Sequence, residues 1–333
     1  MKPNTIIVGD VRDVLNQFAD ASVDCIVSSP PYVGLRDYGH PDQLGAEQSV
    51  DDWVKNLRLV AQGLQRVLPP SGSLWLNVGD SYSAHRREGA ARKSLLLGPQ
   101  RLALALADDG WLVRNVVVWA KPNPMPSSVT DRLSTTYETV LLLVRSPTYY
   151  FDLDAIRVAP VDKRMRAHRK TAVGYPPVSA VPLGGGVDRN LGLDAMKRRG
   201  LSAHPLGKSP GDVWTIPTAG YKGAHFATYP LALPERAILA GCPERVCTAC
   251  GSAWRRAQEQ VGARLLRTGA LQPACSCPGS PWRPGIVLDP FMGSGTTALA
   301  AQKHRRNWLG IELNPDYAEQ ARERITQHNS ITE

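Results

Sequence analysis

Long apolar stretches are missing from this sequence of 333 residues. No run reaches the roughly 18 consecutive apolar residues that a membrane-spanning helix needs. The first residues, Met1 to Asn4, also lack the apolar core of a secretory signal. We therefore expect a cytoplasmic protein without a membrane partner. In that reducing compartment the 6 cysteines argue against a disulfide framework and indicate metal binding or simple burial.

Acidic residues are fewer than basic ones. The chain has 30 Asp and Glu against 39 Lys and Arg, a net charge of +9 and a pI near 9.4. Such a balance favours a polyanionic partner, because Lys and Arg that neutralise phosphates release counterions. The hydrophobic fraction of 43% is typical of a globular protein. At this length we expect one large domain with appendages.

Strand-like and helix-like segments alternate along residues 1–150. Val50 to Val67 has apolar residues three and four positions apart, as in an amphipathic helix. Ser73 to Val78 and Val113 to Trp119 are predicted strands. This βαβ order predicts an α/β fold, doubly wound, with a mostly parallel sheet and helices on both faces.

The segment Ser29-Pro30-Pro31-Tyr32 follows a mostly apolar, strand-like run, Val23 to Val27. Two consecutive prolines lack N–H groups and hold φ near about −65°. The Pro30 carbonyl therefore becomes a rigid acceptor beside the Ser29 hydroxyl, and Tyr32 offers a flat ring for stacking. The alternative is structural: a strand that ends in a Pro-Pro turn, with Ser29 as a local cap and Tyr32 packed at the rim.

A glycine-rich loop lies near the other end of the chain, in Asp289-Pro290-Phe291-Met292-Gly293-Ser294-Gly295-Thr296-Thr297. It follows an apolar run, Ile286 to Leu288, and precedes a helix-forming stretch, an order that places backbone N–H groups at a ligand. The next predicted strand delivers Glu312, whose carboxylate can accept both hydroxyls of a ribose. A dinucleotide pyrophosphate site and a merely solvated Glu312 are the alternatives.

Together, the tetrapeptide and the glycine loop resemble the DNA amino-methyltransferases, in the permuted (beta-type) arrangement whose catalytic half precedes its cofactor loop. Lys121-Pro122-Asn123-Pro124, Asp131-Arg132 and Tyr137 to Leu141 resemble the same family. The resemblance implies a Rossmann-like methyltransferase sheet of the seven-stranded type, with S-adenosylmethionine as the cofactor. It also implies that the target base is flipped out, since a base inside a duplex cannot reach such a pocket.

The same resemblance assigns roles to individual residues. Gly9-Asp10 implies a contact from Asp10 to the cofactor adenine, although Asp10 is also suited to cap the following helix. Lys121 and Asn123 are placed near the DNA, or else in an ordinary polar loop. The implied catalytic residues are Ser29, Pro30, Pro31 and Tyr32, and the implied cofactor residues are Asp10, Asp289, Phe291, Gly293, Ser294, Gly295, Thr296, Thr297 and Glu312.

Regular periodicity fades between residues 151 and 224, where Pro, Gly and basic residues dominate. A cluster of cations lies there, formed by Lys163, Arg164, Arg166, Arg169 and Lys170. Such a run is usually a solvated face, but the resembling family carries its DNA-recognition region at this place, which implies DNA binding. We predict a catalytic half at 1–150, a recognition insert at 151–224, and a cofactor half at 225–242 and 283–333.

A cysteine-rich segment, 243–282, interrupts the cofactor half. Cys247-x-x-Cys250 is followed by glycine, as in a zinc-knuckle turn, and Cys275-x-Cys277 supplies a second close pair. Four thiolates complete a tetrahedral zinc site, and zinc gives a segment with few large apolar residues a reason to fold. We therefore predict a small zinc-ribbon insert with a structural ion. Cys25 and Cys242 are expected to be buried, inert thiols.

Methylation of cytosine at ring carbon 5 needs a cysteine nucleophile from a Pro-Cys dipeptide, which this chain lacks. Transfer to an exocyclic amine remains. Serine at the first position of the tetrapeptide resembles the N4-cytosine enzymes, whereas the N6-adenine enzymes mostly carry Asp or Asn, so the adenine reaction is the alternative. An RNA or small-molecule methyltransferase, and a zinc-knuckle nucleic-acid-binding protein with a silent core, also stay open. The expected partner is double-stranded DNA; a restriction endonuclease partner and the oligomeric state stay undecided.

Overall fold

A computed structural model of the chain describes residues 1–35, 39–159, 207–218, 229–257, 259–261, 264–266 and 270–332. Within these ranges no helix is both long and apolar enough to cross a lipid bilayer. The basic cluster of Lys163, Arg164, Arg166, Arg169 and Lys170 lies outside the described residues. Its role in DNA binding therefore stays a prediction.

Helices and strands alternate over residues 5–120, as the periodicity predicts, and again over residues 286–332, whereas strands follow one another without an α-helix between them in the described parts of 112–215 and 246–289. The helices are α1 (Val11–Leu15), α2 (Val50–Val67), α3 (Gly98–Asp108), α4 (Ala232–Gly241), α5 (Thr296–Lys303) and α6 (Pro315–Thr332). The strands are β1 (Thr5–Val8), β2 (Cys25–Ser28), β3 (Ser73–Val78), β4 (Leu112–Ala120), β5 (Tyr137–Val144), β6 (Val213–Thr215), β7 (Val246–Cys247), β8 (Arg255–Arg256), β9 (Glu259–Val261), β10 (Arg264–Leu266), β11 (Leu271–Gln272), β12 (Trp282–Arg283), β13 (Ile286–Asp289) and β14 (Asn307–Glu312).

One sheet of 8 strands organises the fold, in the order β1-β14-β13-β2-β3-β5-β4-β6. The first five strands in this order are parallel to one another. Strand β5 is antiparallel to both of its neighbours, β3 and β4. The predicted α/β fold with a mostly parallel sheet is confirmed. The sheet exceeds the seven-stranded type because β6 adds to its edge beside β4.

The parallel strands bring the two sequence motifs to the same edge of the sheet. Strands β2 and β13 are neighbours that run in the same direction, so Ser29 and Pro290 both follow carboxyl ends. Gly9 follows β1 and Glu312 ends β14 at this edge. In open parallel sheets, ligands bind in the crevice outside the carboxyl ends of the strands.

Helix α2 illustrates how local sequence sets these elements. The Ser49 hydroxyl accepts a hydrogen bond from the Asp52 N–H at 3.1 Å and so caps the first turn. Trp53 and Leu64 lie on the buried face. The helix ends just before Pro69, a residue that cannot continue it. The range predicted from the apolar spacing is the range observed.

The chain divides into two compact units. The first comprises Met1–Asp152, Gly211–Ala253 and Cys275–Glu333, and it contains the whole sheet and helices α1 to α6. The second comprises Leu153–Pro210 and Trp254–Ala274. Its described part holds two short antiparallel pairs, β8 with β11 and β9 with β10. The boundaries of the recognition and zinc-ribbon inserts stay predictions.

Candidate active site at the carboxyl ends of the parallel strands

A cavity opens at the carboxyl ends of β1, β2, β13 and β14. The predicted site residues that line it are Asp10, Ser29, Pro31, Phe291, Gly293, Ser294, Thr296 and Glu312. The predicted catalytic and cofactor residues that lie outside the lining are Pro30, Tyr32, Asp289, Gly295 and Thr297. Tyr229 and Tyr317 also line the cavity, although no motif marks them. The tetrapeptide and the glycine loop therefore share one cavity.

The glycine loop between β13 and α5 depends on left-handed backbone conformations. Gly293 has a φ of 51° and Gly295 a φ of 79°, values that residues with a Cβ rarely adopt. A Cβ on Gly295 would also lie 3.0 Å from Ile325 Cδ1. Arg324 on α6 donates from Nη1 to the Ser294 carbonyl at 2.8 Å and to the Ser294 hydroxyl at 2.9 Å. The loop is thus held by contacts within the protein.

Glu312 ends β14 and lines the cavity. Its Oε2 accepts from the Gly293 N–H at 2.8 Å, and its Oε1 accepts from the Asn314 N–H at 3.0 Å. Burial raises the pKa of this carboxyl above its ordinary value, because the charged form is poorly solvated there. The alternative of a freely solvated strand-end carboxylate does not fit this burial. Each oxygen keeps a second lone pair with which to accept from a ligand.

Asp10 combines the two roles that the sequence leaves open. It caps α1 by accepting from the Arg12 N–H at 2.8 Å, and it also lines the cavity. The Arg12 side chain donates to the same carboxylate, from Nε at 2.8 Å. This side-chain hydrogen bond lowers the pKa of Asp10. A contact from Asp10 to an adenine amino group stays a prediction.

Asp289 is 1% exposed and directly precedes Pro290, which lines the cavity. Its carboxylate accepts from the Ser28 hydroxyl at 2.5 Å, from the Phe291 N–H at 3.0 Å and from the Thr297 hydroxyl. The Tyr229 hydroxyl lies 3.3 Å from Oδ2. Burial raises the pKa of Asp289. These contacts join β2 to the glycine loop and to α5, so Asp289 shapes the loop; direct contact with a cofactor stays a prediction.

A polar network lies behind the tetrapeptide. The Tyr32 hydroxyl donates to Glu138 Oε2 at 2.6 Å and lies 3.0 Å from the Ser29 hydroxyl oxygen. Asn77 on β3 donates from Nδ2 to the Tyr32 hydroxyl at 2.7 Å and to Glu138 Oε2 at 2.6 Å. Lys121 Nζ lies 2.5 Å from Glu138 Oε1. Residues from β3 and β5 and the residue that follows β4 thereby fix Ser29 and Tyr32 relative to one another.

The backbone of the tetrapeptide is also fixed. Trp53 donates from Nε1 to the Pro31 carbonyl at 2.9 Å, and Pro30 is buried. Gly79, just after β3, lies against the Tyr32 ring: a Cβ at this position would be 2.6 Å from Cε2. Tyr32 is therefore held from two sides, by the polar network at its hydroxyl and by Gly79 at its ring.

Lys121 and Asn123, both predicted beside the DNA, differ in their contacts. Lys121 forms the ion pair with Glu138, and its Nζ lies 4.7 Å from the centre of the Trp119 ring. Asn123 is exposed, and its Oδ1 accepts from the Thr218 N–H at 2.9 Å. Neither contact tests an interaction with DNA, which stays a prediction for both residues.

The cysteines of the predicted metal site come together within the first unit. Their sulfur atoms lie within 4.8 Å of one another, in the set Cys247, Cys250, Cys275 and Cys277. Strand β12, which pairs with β7, carries Arg283, whose Nη1 donates to Asp24 at 2.6 Å. Because Asp24 directly precedes β2, the cluster is tied to the amino ends of the parallel strands, away from the cavity.

The two remaining cysteines, Cys25 and Cys242, are fully buried. Burial raises the pKa of Cys25 to about 12 and that of Cys242 well above its ordinary value. A thiol that does not ionise is a poor nucleophile. The prediction that both are buried, inert thiols agrees with these environments.

Asn77, Tyr229 and Arg324 contribute to the site although no motif marks them. Only Asn77 carries a signal in the sequence, because it is an amide in a strand whose residues are all buried. Tyr229 and Arg324 contact the glycine loop from segments distant in the sequence. No pattern of residue spacing predicts these contacts.

Comparisons with known proteins bear on the function of this cavity. A family model of N6 and N4 methyltransferases, described as DNA methylase, matches residues 23–323. The chain is 33% identical over 341 residues to the type II methyltransferase M.SmaI of Serratia marcescens, covering 96% of this chain and 90% of that protein. It is 32% identical to M.Cfr9I of Citrobacter freundii, with 96% and 87% covered.

Solved structures with the same fold include two that match over almost the whole chain. The PvuII DNA methyltransferase, named as cytosine-N4-specific, superposes with a TM-score of 0.54 at 19% identity and covers 98% of this chain and 91% of its own. TTHA0409 of Thermus thermophilus, solved in complex with S-adenosyl-L-methionine, has a TM-score of 0.54 at 23% identity, with 97% and 95% covered. On the family match and the relatives that share about a third of its sequence, this chain is a member of the N6/N4 DNA methylase family.

Proposed function

We propose that this member of the family transfers a methyl group from S-adenosylmethionine to N4 of cytosine at a specific site in double-stranded DNA. The observation that carries the proposal is the shared cavity, where Ser29 lies together with Gly293 and Glu312. A methyl donor held at the glycine loop thereby comes beside acceptors for an amine. Serine at the first position of the tetrapeptide supports cytosine, as does the similarity of fold to an enzyme named as cytosine-N4-specific.

The cavity has the features that a cationic nucleoside requires. Asp10 and Glu312 both face it, and carboxylates attract a sulfonium. Glu312 would accept from the ribose hydroxyls and Asp10 from the adenine amino group. At Gly293 the missing side chain lets a ligand approach the backbone closely. S-adenosylmethionine bound there would supply an electrophilic methyl group.

Ser29 and Pro30 are proposed to act on the target amine. The lone pair of an exocyclic amine is delocalised into the ring, so the nitrogen attacks poorly unless acceptors pull on its N–H groups. The Ser29 hydroxyl and the Pro30 carbonyl would be those acceptors, which favour a more tetrahedral nitrogen. With the methyl group of a bound S-adenosylmethionine beside it, the amine would form a nitrogen–carbon bond as the sulfur–carbon bond breaks, and it would release one proton to water. Stacking on Tyr32 offsets part of the cost of base flipping, about a few kcal/mol.

A structural zinc ion at the cysteine cluster is also part of the proposal. Four thiolates close a tetrahedral shell and leave no position for water, whereas catalytic zinc keeps one open. The cluster is tied to the amino ends of the parallel strands, away from the cavity. Methyl transfer from a sulfonium needs no Lewis acid. The ion would therefore stabilise the insert and take no part in the chemistry.

The test is to incubate the purified protein with labelled S-adenosylmethionine and, in separate reactions, unmethylated double-stranded DNA or RNA, and to identify the labelled nucleoside by mass spectrometry. We expect N4-methylcytosine. N6-methyladenine would replace the cytosine assignment by the adenine alternative, and label in RNA but not in DNA would overturn the function. Sequencing that detects methylated bases then maps the target site. We propose a restriction endonuclease of the same specificity as a partner, and its cleavage can be assayed on DNA that carries this site.

The Ser29→Ala variant tests the tetrapeptide in the same assay. We expect most methyl transfer to be lost, because the amine loses an acceptor, while S-adenosylmethionine still binds in calorimetric titration. Near-normal turnover in this variant contradicts the assigned role of Ser29. The wild-type protein, assayed beside the variant on the same DNA, provides the reference for both measurements.

A further inference from the structure

The direction of the hydrogen bonds around Tyr32 follows from counting protons. A tyrosine hydroxyl has one proton to donate, and an ionised carboxylate can only accept. The Tyr32 hydroxyl lies 2.6 Å from Glu138 Oε2, so its proton points at Glu138. Asn77 Nδ2 donates to the same hydroxyl at 2.7 Å and occupies one of its lone pairs.

Ser29 is left with a single way of bonding to Tyr32. The two hydroxyl oxygens are 3.0 Å apart, and the Tyr32 proton is already directed at Glu138. The Ser29 hydroxyl must therefore donate to Tyr32. Asn77 Nδ2 also lies 3.4 Å from the Ser29 oxygen, but its two protons are already directed at Tyr32 and Glu138. The lone pairs of Ser29 therefore stay available to the cavity that Ser29 lines.

We propose that Glu138 is a positioning residue that sets the direction of this chain of hydroxyls, so that Ser29 can only accept from the target amine. The inference rests on the proposed function, since it concerns the acceptor that the amine needs. Without the carboxylate, Tyr32 can donate to Ser29. The Ser29 proton would then point at an amine that itself carries protons, and the acceptor would be lost.

Lys121 and Asn77 hold Glu138 in this arrangement. Lys121 Nζ is 2.5 Å from Oε1, and the two side chains are only 19% and 16% exposed, so solvent screens the pair little. Asn77 donates to Oε2 at 2.6 Å. If its amide were turned round, the Asn77 oxygen would face the carboxylate oxygen and repel it. Every neighbour in this network therefore donates to Glu138.

A double-mutant cycle tests the proposal, with methyl transfer to double-stranded DNA as the readout. Glu138→Gln and Tyr32→Phe should each lower kcat about ten- to hundredfold. The KM for DNA and the affinity for S-adenosylmethionine should stay nearly unchanged, because Glu138 lies outside the cavity lining and the phenyl ring of Tyr32→Phe can still stack on the base. The double variant should be no slower than the slower single variant, since Glu138 acts through the Tyr32 hydroxyl.

Glu235→Gln is the matched control. Glu235 Oε1 also lies 2.5 Å from a lysine Nζ, that of Lys303, but on α4 and outside the network. The kcat of the Glu235→Gln variant should equal that of the wild type. Losses that multiply in the double variant, or a normal kcat in Glu138→Gln, overturn the proposal.

Two further outcomes are separable. If Glu138→Gln does not fold, Tyr32→Phe decides alone, and an unchanged kcat in that variant overturns the proposal. A wild-type protein that transfers no methyl group to DNA refutes the proposed function, and this is seen before any variant is made.

Discussion

At the scale of single residues, Glu312 predicts how cofactor affinity depends on pH. Burial raises the pKa of its carboxyl, and the proposed ribose contact needs the ionised form. As the pH falls through this raised pKa, the carboxylate is protonated and becomes a weaker acceptor. Affinity for S-adenosylmethionine should therefore begin to fall at a higher pH than an ordinary glutamate would give. Calorimetric titration across the pH range measures this decline.

The Glu312→Gln variant isolates that contribution. We expect weaker binding, by about 1.5 to 3 kcal/mol for a charge-assisted hydrogen bond, and loss of the pH-dependent decline that the wild type shows. Glu319→Gln is a suitable control, because its side chain is 62% exposed on α6 and lies outside the cavity lining. Unchanged affinity in Glu312→Gln refutes the ribose role.

Gly79 provides a steric test of the Tyr32 position. A Cβ in Gly79→Ala would lie 2.6 Å from the Tyr32 ring, so the ring must move. We expect kcat to fall about ten- to hundredfold, as when reacting groups are misplaced by an ångström, with cofactor affinity unchanged. In Gly211→Ala the nearest atom would be 3.9 Å away, and activity should be normal. Equal kcat values in the two variants would show that the position of Tyr32 is unimportant.

The site residues that can be predicted from the sequence are those that belong to a contiguous motif. Ser29 and Glu312 stand in or beside motifs whose chemistry is readable, and the structure places both on the cavity. The partnership of Glu138 with Tyr32 is different, because it depends on how β3 and β5 pair across the sheet. Pairing register arises from tertiary packing, so no spacing along the chain predicts this contact.

At the scale of elements, periodicity predicts the long regular helices and strands but misses the short strand at the edge of the sheet. Helix α2 has a strong apolar stripe and is predicted over its full length. Strand β6 has three residues, Val213–Thr215, and joins the sheet only through β4. Such a short strand carries no periodic signal. The order of strands, including the antiparallel β5, likewise depends on packing and not on local sequence.

The cysteine cluster gives a prediction for a whole element. We expect one zinc ion per chain, and removing it with a chelator should increase hydrogen exchange in 243–282 while cofactor binding persists. The reason is that the cluster is joined to the amino ends of the parallel strands through Arg283 and Asp24, whereas the cavity lies at the carboxyl ends. Elemental analysis counts the zinc.

A matched pair of variants completes the zinc test. Cys247→Ser should lower the zinc content, whereas Cys25→Ser should not, because Cys25 is buried apart from the cluster. If protein purified under reducing conditions contains no zinc, the predicted zinc site is wrong. Loss of cofactor binding on chelation would contradict its peripheral role.

At the scale of the whole molecule, the net charge of +9 agrees with a substrate that carries many phosphates. Charge is fully readable from the sequence, since it needs no folding information. The recognition sequence is not, because bases are read by side chains whose positions in the grooves no linear code specifies. For the predicted recognition insert, 151–224, the sequence therefore gives the charge, whose effect on DNA binding can be tested, but it does not give the DNA bases that are recognised.

The basic run in that insert should make DNA binding depend steeply on salt. Replacing Arg164 and Arg166 together by Gln should flatten the plot of log affinity against log salt by roughly 0.9 for each phosphate that is no longer neutralised. Replacing Lys303 and Arg322 by Gln changes the net charge equally, but these side chains are already paired with Glu235 and Glu319. If the run contacts DNA, only the first double variant changes the slope. Equal slopes in both double variants and the wild type would identify the run as a solvated face.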